Sequence, residues 1–373
     1  MTPLALLLLL LPPPLLLLQL SAPLAAADED RYRLDSLQQH LRSITLGRAM
    51  NTSFAYISTM CSRIMDLGIV QPRVVPDISK MNLVFQLSEC ENITVPLERA
   101  AEIWNHPSFN RNNHMRIFIT GWRSTINSSN SGPVAKAEAC TNSTNFLILD
   151  AANFIDTLYT WSALNTDAIG YHLAKALVPL KPRWVRRRVT LVGHSLGAQI
   201  ASAAGRHYQL LSDGVRISRI VGLDPANPCF YDGSTLPGLR KGDARIVTII
   251  HTNPGGLGTA EATGDGDYFV QGLAPLMPGC SGLDAVVCSH ERAVDYWVEN
   301  LYPGSGFHGR RCERYAHLYT GLQCRFIEDD GVDFGASEGL YFLNVNPNEP
   351  YGQNATAGEF VSAGSSCGRC EAS

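Results

Sequence analysis

The chain has 373 residues, 45% hydrophobic and 17% charged, which is a globular balance with length for one large core or two modest ones. Its net charge of −4 supplies no overall basic field, which speaks against nucleic acid as a partner.

The N-terminal stretch "MTPLALLLLLLPPPLLLLQLSAPLAAADED" is apolar, broken by Pro12, Pro13 and Pro14, and ends in Ala25, Ala26 and Ala27 before an acidic start. A membrane-spanning helix tolerates three successive prolines poorly. An apolar core followed by small residues reads instead as a secretory signal over 1–27, cleaved near Ala27. The basic residue expected at the extreme N-terminus is missing, and a retained signal anchor is the alternative. Ten cysteines, an even count, and sequons at Asn51, Asn92, Asn127, Asn142 and Asn354 agree with a secreted, extracellular protein. No later segment is apolar over the length that a bilayer requires.

A polar, helical segment follows, and then short apolar runs recur. They are "NLVFQLS" (82–88), "RIFIT" (116–120), "FLILD" (146–150), "VTLVG" (189–193), "RIVGLD" (219–224), "IVTIIH" (246–251) and "GLYFLNV" (339–345). Their near-continuous hydrophobicity is that of strands buried on both faces. Helical stretches lie between the later ones, at 166–178 and 196–211. Strand–helix alternation predicts an α/β fold with a mostly parallel sheet covered by helices. The basic run "KPRWVRRR" (181–188) reads as a solvated loop before a strand, and "ANPCFYDG", "NPGGLG" and "GDGDYFVQG" read as further loops. One domain is expected over 28–345, followed by a Gly/Ser-rich tail over 346–373. The "CGRC" of that tail, Cys367 to Cys370, has no second cysteine pair at zinc spacing and reads as a disulfide end.

Gly-x-Ser-x-Gly occurs twice, as "GHSLG" (193–197) and "GASEG" (335–339). No strand leads into the second and no helix leaves it, so Ser337 reads as a turn serine. The first follows the buried strand "VTLVG" and opens a helix, the setting of a nucleophile elbow. Bulky residues at 193 and 197 would clash in so sharp a turn. Ala198, Ala201, Ala203, Ala204 and Gly205 give the leaving helix a small contact face. Ser195 is then the candidate nucleophile, with the Leu196 backbone N–H aimed where an oxyanion would form.

A serine at its ordinary pKa is inert and needs a base and an orienting carboxylate, which in this fold class follow in the order Ser, Asp/Glu, His. Asp224 ends "RIVGLD" on the rim where the elbow lies; the competing reading is an Asp capping a turn before Pro225. Asp232, Asp243, Asp265 and Asp267 read as loop residues without that placement. Among His251, His290, His308 and His317, His290 is favoured as a loop-borne base anchored by Cys288. His251 ends a strand, as a core histidine would.

At this point "GHSLGA", "VGLDPANP", "VTIIHT", the "PGC" ending at Cys280 and the "CSH" ending at His290 together resemble the pancreatic-lipase family of the AB hydrolase superfamily, in its insect branch. The likeness runs from about residue 80 to 345. It implies the α/β-hydrolase fold in a single domain without a C-terminal β-sandwich, secretion, and hydrolysis of lipid esters through Ser195, Asp224 and His290. It implies a second oxyanion donor, the backbone N–H of Trp122, and no metal or organic cofactor. The substrate would be met at a membrane or micelle surface, with no colipase; oligomeric state is not implied. The sequence departs from the family pattern at Thr120, where a histidine usually precedes the glycine, and at Gln199, where a histidine usually follows "GA".

The resemblance also pairs Cys280 with Cys288, around a lid of only seven residues, "SGLDAVV", and more weakly Cys312 with Cys324; the other pairings stay open. Short-lid members of the family are similar to phospholipase A1, which points to phospholipid or galactolipid. The alternatives are a triacylglycerol lipase and a storage-type yolk protein that keeps the fold with little or no catalysis.

Overall fold

In a computed structural model the described residues are 80–355, less 89–90, 129, 142–143, 232–235, 303, 327–333 and 335–337, together with Ile57, Thr59 and Cys61. The expected signal over 1–27, Asn51, Asn142, Asp232, Ser337 and the "CGRC" tail lie outside them. The strands are β1 (Asn82–Gln86), β2 (Asn92–Pro96), β3 (His114–Ile119), β4 (Thr144–Asp150), β5 (Val189–His194), β6 (Arg219–Leu223), β7 (Ile246–His251), β8 (Gly266–Val270), β9 (Gly309–Cys312), β10 (Arg325–Phe326) and β11 (Gly339–Leu343). The helices are α1 (Ala101–Trp104), α2 (Ser131–Thr141), α3 (Ala152–Ile155), α4 (Tyr159–Leu177), α5 (Pro182–Arg188), α6 (Leu196–Leu211) and α7 (Ala285–Leu301).

These strands form one sheet in the order β10-β9-β11-β8-β7-β6-β5-β3-β4-β1-β2. The run from β4 through β11 is parallel. The flanking β1, β2, β9 and β10 pair antiparallel. Side chains alternate across a strand, and the core divides accordingly. Ile117, Ile119, Leu191 and Ile249 face the layer that holds Ile169 and Leu173 of α4 and Ile200 of α6. Phe118, Val192, Val221 and Ile250 face Val134 of α2 and Ala293, Val294 and Trp297 of α7. This is the α/β-hydrolase architecture, a mostly parallel sheet flanked by helices.

The topology locates the functional rim. The chain passes from β3 outward to β4 and then returns to place β5 on the other side of β3. Such a reversal opens a crevice at the carboxyl ends of the two strands, where α/β proteins bind ligands. Here the loop after β3 and the elbow after β5 meet in it.

Three expectations change. "GDGDYFVQG" contains β8, a fully buried parallel strand, not only a loop; Asp267 sits inside it because His251 Nε2 pairs with its carboxylate at 3.0 Å. "KPRWVRRR" is the helix α5, with Pro182 in its first turn and Val185 buried. Its preset φ suits Pro to that position, and Arg183, Arg186 and Arg187 stay in solvent. The chain also remains packed past residue 345. Glu299, buried near the end of α7, accepts N–H bonds from Tyr351 and Gly352 at 2.7 Å each.

Replacing Glu299 by Ala strands both of those buried donors, each worth about 1–3 kcal/mol. Chemical denaturation should show Glu299→Ala destabilised by at least about 2 kcal/mol relative to the native chain; an unchanged midpoint would mean that the carboxylate does not fasten this segment.

Candidate active site

The elbow starts from a strained residue. Ser195 has φ 56° and ψ −121°, a conformation costing a non-glycine residue about 1–3 kcal/mol. Its neighbours hold it there: its N–H donates to Leu223 O at 3.0 Å, and its carbonyl accepts from Ala198 and Ala226 at 3.1 and 3.2 Å. A Cβ on Gly197 would lie 2.1 Å from Ile119 O, so only glycine lets the elbow press against the end of β3. Leu196 opens α6, where first-turn N–H groups lack helical acceptors. Neither its N–H nor that of Trp122 has an acceptor among the described residues.

Asp224 follows β6 with φ 43° and is fully buried. Its Oδ1 accepts the N–H groups of Thr252 and Asn253 at 2.8 and 3.0 Å. Its Oδ2 accepts from His290 Nδ1 at 2.6 Å. A carboxylate here can only accept, so Nδ1 carries the proton and the lone pair of the neutral ring is on Nε2. Gly258 closes over the carboxylate: a Cβ there would lie 2.3 Å from both oxygens.

His290 is the sixth residue of α7, not a residue of a loop. The Cys280–Cys288 disulfide encloses the first turn of that helix, so the helix begins inside the lid sequence. Ser195 and His290 line one cavity of 340 Å³, whose walls include Trp122, Tyr159, Leu257 and Val287. Among the described residues no hydrogen bond joins the Ser195 hydroxyl to His290; in unliganded sites such contacts are often long and tighten when substrate binds. The arrangement offers a hydroxyl, an imidazole with a free lone pair and Trp122 on the wall of one cavity, with the Leu196 N–H next in the chain to Ser195, which is the equipment for acyl transfer.

Several contacts had no signature in the sequence. His194, the second letter of "GHSLG", is buried, and its Nε2–H donates to the His290 carbonyl at 3.1 Å, with the two rings 4.6 Å apart. Gln199, which departs from the family pattern, is also fully engaged. Its amide donates to Ala226 O at 2.7 Å and accepts from Leu239 N–H at 2.9 Å, tying α6 to the loop that carries Asp224. Cys61–Cys229 fastens the same loop from outside. Thr120 is buried and makes a long bond from Oγ1 to Ser124 O at 3.4 Å.

The rejected candidates have separate structural partners. His251 bonds Thr259 O and Asp267 and stacks on Phe269. Asp243 takes Ser202 and Arg206, and Asp265 takes Lys241 at 2.8 Å. His317 accepts from Arg314 at 3.1 Å. The sequons Asn92, Asn127 and Asn354 are exposed.

The family model described as Lipase matches residues 70–331. Among curated relatives, Vitellogenin-1 of Ceratitis capitata is 32% identical over 57% of this chain and 49% of its own length. Phospholipase A1 of Vespula vulgaris is 33% identical over 56% of this chain and 66% of its own. Pancreatic triacylglycerol lipase of Sus scrofa is 32% identical over 49% of this chain and 44% of its own. The matches thus span about half to two thirds of these relatives.

Burial, and next electrostatic opposition from the neighbouring His290 imidazole, hold His194 down from 6.5 to about 3. Between those values the unfolded chain binds a proton that the folded chain does not. Stability is therefore whole above about pH 6.5 and is lost as pH falls through the window, by up to about 1.4 kcal/mol per unit. The thermal midpoint should drop between about pH 7 and about pH 4.5, and more shallowly in His194→Asn; parallel curves would show that this ring is not the group responsible.

Proposed function

The chain belongs to the Lipase family, and from that footing we propose that it is an extracellular carboxylic-ester hydrolase that acts on lipids through Ser195, Asp224 and His290. The observation that carries the reading is the convergence of these three residues at one rim, with Asp224 bonded to His290 and both Ser195 and His290 on the wall of one cavity. In this reading His290 Nε2 takes the Ser195 proton as Oγ attacks the ester carbonyl. The oxyanion lies against the N–H groups of Leu196 and Trp122. His290 then gives the proton to the leaving alcohol, and water releases the acyl group by the same path in reverse.

Phospholipid is the favoured substrate. The lid holds seven residues between its cysteines; residues 281–284 are exposed, with Leu283 60% accessible, and Val287 reaches the cavity wall. A loop of that size builds little apolar surface for a triglyceride. Similarity to Phospholipase A1 of Vespula vulgaris supports the same class. Secretion is supported by the disulfides Cys61–Cys229, Cys280–Cys288 and Cys312–Cys324, which persist in oxidising compartments. Similarity to Vitellogenin-1 favours a second reading, a storage-type protein that binds lipid with little catalysis.

A fluorophosphonate probe separates the two. It should label the native chain and leave Ser195→Ala untouched. Hydrolysis of phosphatidylcholine should fall at least about a thousandfold in Ser195→Ala and about ten-thousandfold in Asp224→Asn, where the imidazole loses its orienting charge. A native chain that is not labelled favours the storage reading. Release of fatty acid should be faster from phosphatidylcholine than from triolein; the reverse order would assign the site to neutral glycerides.

A further inference from the structure

The cavity wall carries two charged side chains that the acyl-transfer steps do not use. Arg123 and Glu291 both line it, together with Ser195 and His290. Glu291 directly follows His290 on α7, and Arg123 directly follows Trp122. The polar groups Ser124, Ser128 and Asn130 complete this side of the wall.

Arg123 is built in at a cost. Its φ is 58°, in the left-handed region that non-glycine residues seldom occupy, and its N–H donates to Ile155 O at 3.2 Å. Strain of this kind clusters at active sites and ligand clamps. The guanidinium lies over the Trp122 ring, 5.9 Å from its centroid. It meets Asp156 through Nε alone, at 3.3 Å, so both terminal amino groups lack an acceptor among the described residues. Those two groups form the fork that takes phosphate oxygens in pairs.

Glu291 is the complementary case. Its carboxylate is half-buried against Asn130, and no Lys or Arg pairs with it among the described residues. Burial raises its pKa, with His290 acting in the opposite sense. A cation arriving in the cavity would supply the partner that the charge lacks.

We propose that Arg123 and Glu291 form a headgroup subsite that selects zwitterionic phosphodiesters, with Arg123 taking the phosphate and Glu291 the ammonium of a choline or ethanolamine headgroup. One charge of each sign on the wall that also holds Ser195 and His290 complements a zwitterion. A neutral triglyceride gains from neither, and an anionic headgroup gains from Arg123 while facing Glu291. The proposal rests on the hydrolase reading above and narrows its substrate class.

The test uses the full chain, Glu291→Gln and Arg123→Gln, each assayed on three substrates. These are phosphatidylcholine and phosphatidylglycerol of matched acyl chains in non-ionic detergent micelles, and p-nitrophenyl butyrate, which has no headgroup. The native chain should favour phosphatidylcholine over phosphatidylglycerol in kcat/KM. Glu291→Gln, which keeps an amide for Asn130, should lower that preference by about fivefold, mainly through KM. Arg123→Gln should weaken both phospholipids alike relative to the butyrate ester. An unchanged lipid preference in Glu291→Gln overturns the subsite. So does an equal loss on all three substrates in either variant, which would mean that the residue only braces the fold. A native chain inactive on all three overturns the hydrolase reading and the subsite together, a result distinct from either of those.

Discussion

The candidate site depends on one backbone conformation, the left-handed φ of Ser195 at the end of β5. Everything close to it is shaped by the need to keep that turn tight. Gly197 must lack a side chain so that α6 can start against the carbonyl of Ile119. The carbonyl of Ser195 must accept two N–H groups, one from its own helix and one from Ala226. That second bond ties the elbow to the loop that presents Asp224. The strain is therefore shared between β3, β5 and β6, three neighbouring strands of the parallel sheet. A fold in which these strands were not adjacent could not hold the turn.

Polar order then spreads from Asp224 outward. Its two oxygens meet three donors, two from the backbone after β7 and one from His290. His290 is in turn approached from behind by His194, whose burial keeps it neutral above about pH 3. A second positive ring packed against His290 would oppose an imidazolium there. The depressed pKa of His194 removes that conflict across the physiological range. The elbow sequence thus contributes a hydroxyl at one residue and a neutral, hydrogen-bonding neighbour at the one before it.

The strands of the central sheet were legible because burial on both faces leaves near-continuous apolar runs. β8 was not, because Gly266 and Asp267 open it and the buried carboxylate is satisfied by His251 and by the Gly264 N–H. Ser195, Asp224 and His290 were legible from strand context and chain order, and the structure brings them to one rim. The helical setting of His290 was missed because Cys288, Ser289 and His290 are indifferent helix formers; the apolar spacing that marks α7 lies after them. Gly258 and the N–H groups of Thr252 and Asn253 carry no side-chain signal at all. Arg123 and Glu291 look like ordinary surface charges in the sequence, since only the fold places them on one cavity.

Helix α7 carries His290 between two fastenings. Its first turn is stitched to Cys280 by a disulfide, and near its far end Glu299 grips the chain at Tyr351 and Gly352. His290 thus rides on a beam supported at both ends, and neither support lies among the contacts of its own ring. The ring that bonds Asp224 is therefore carried by a helix fastened covalently at its start and by a buried carboxylate near its end.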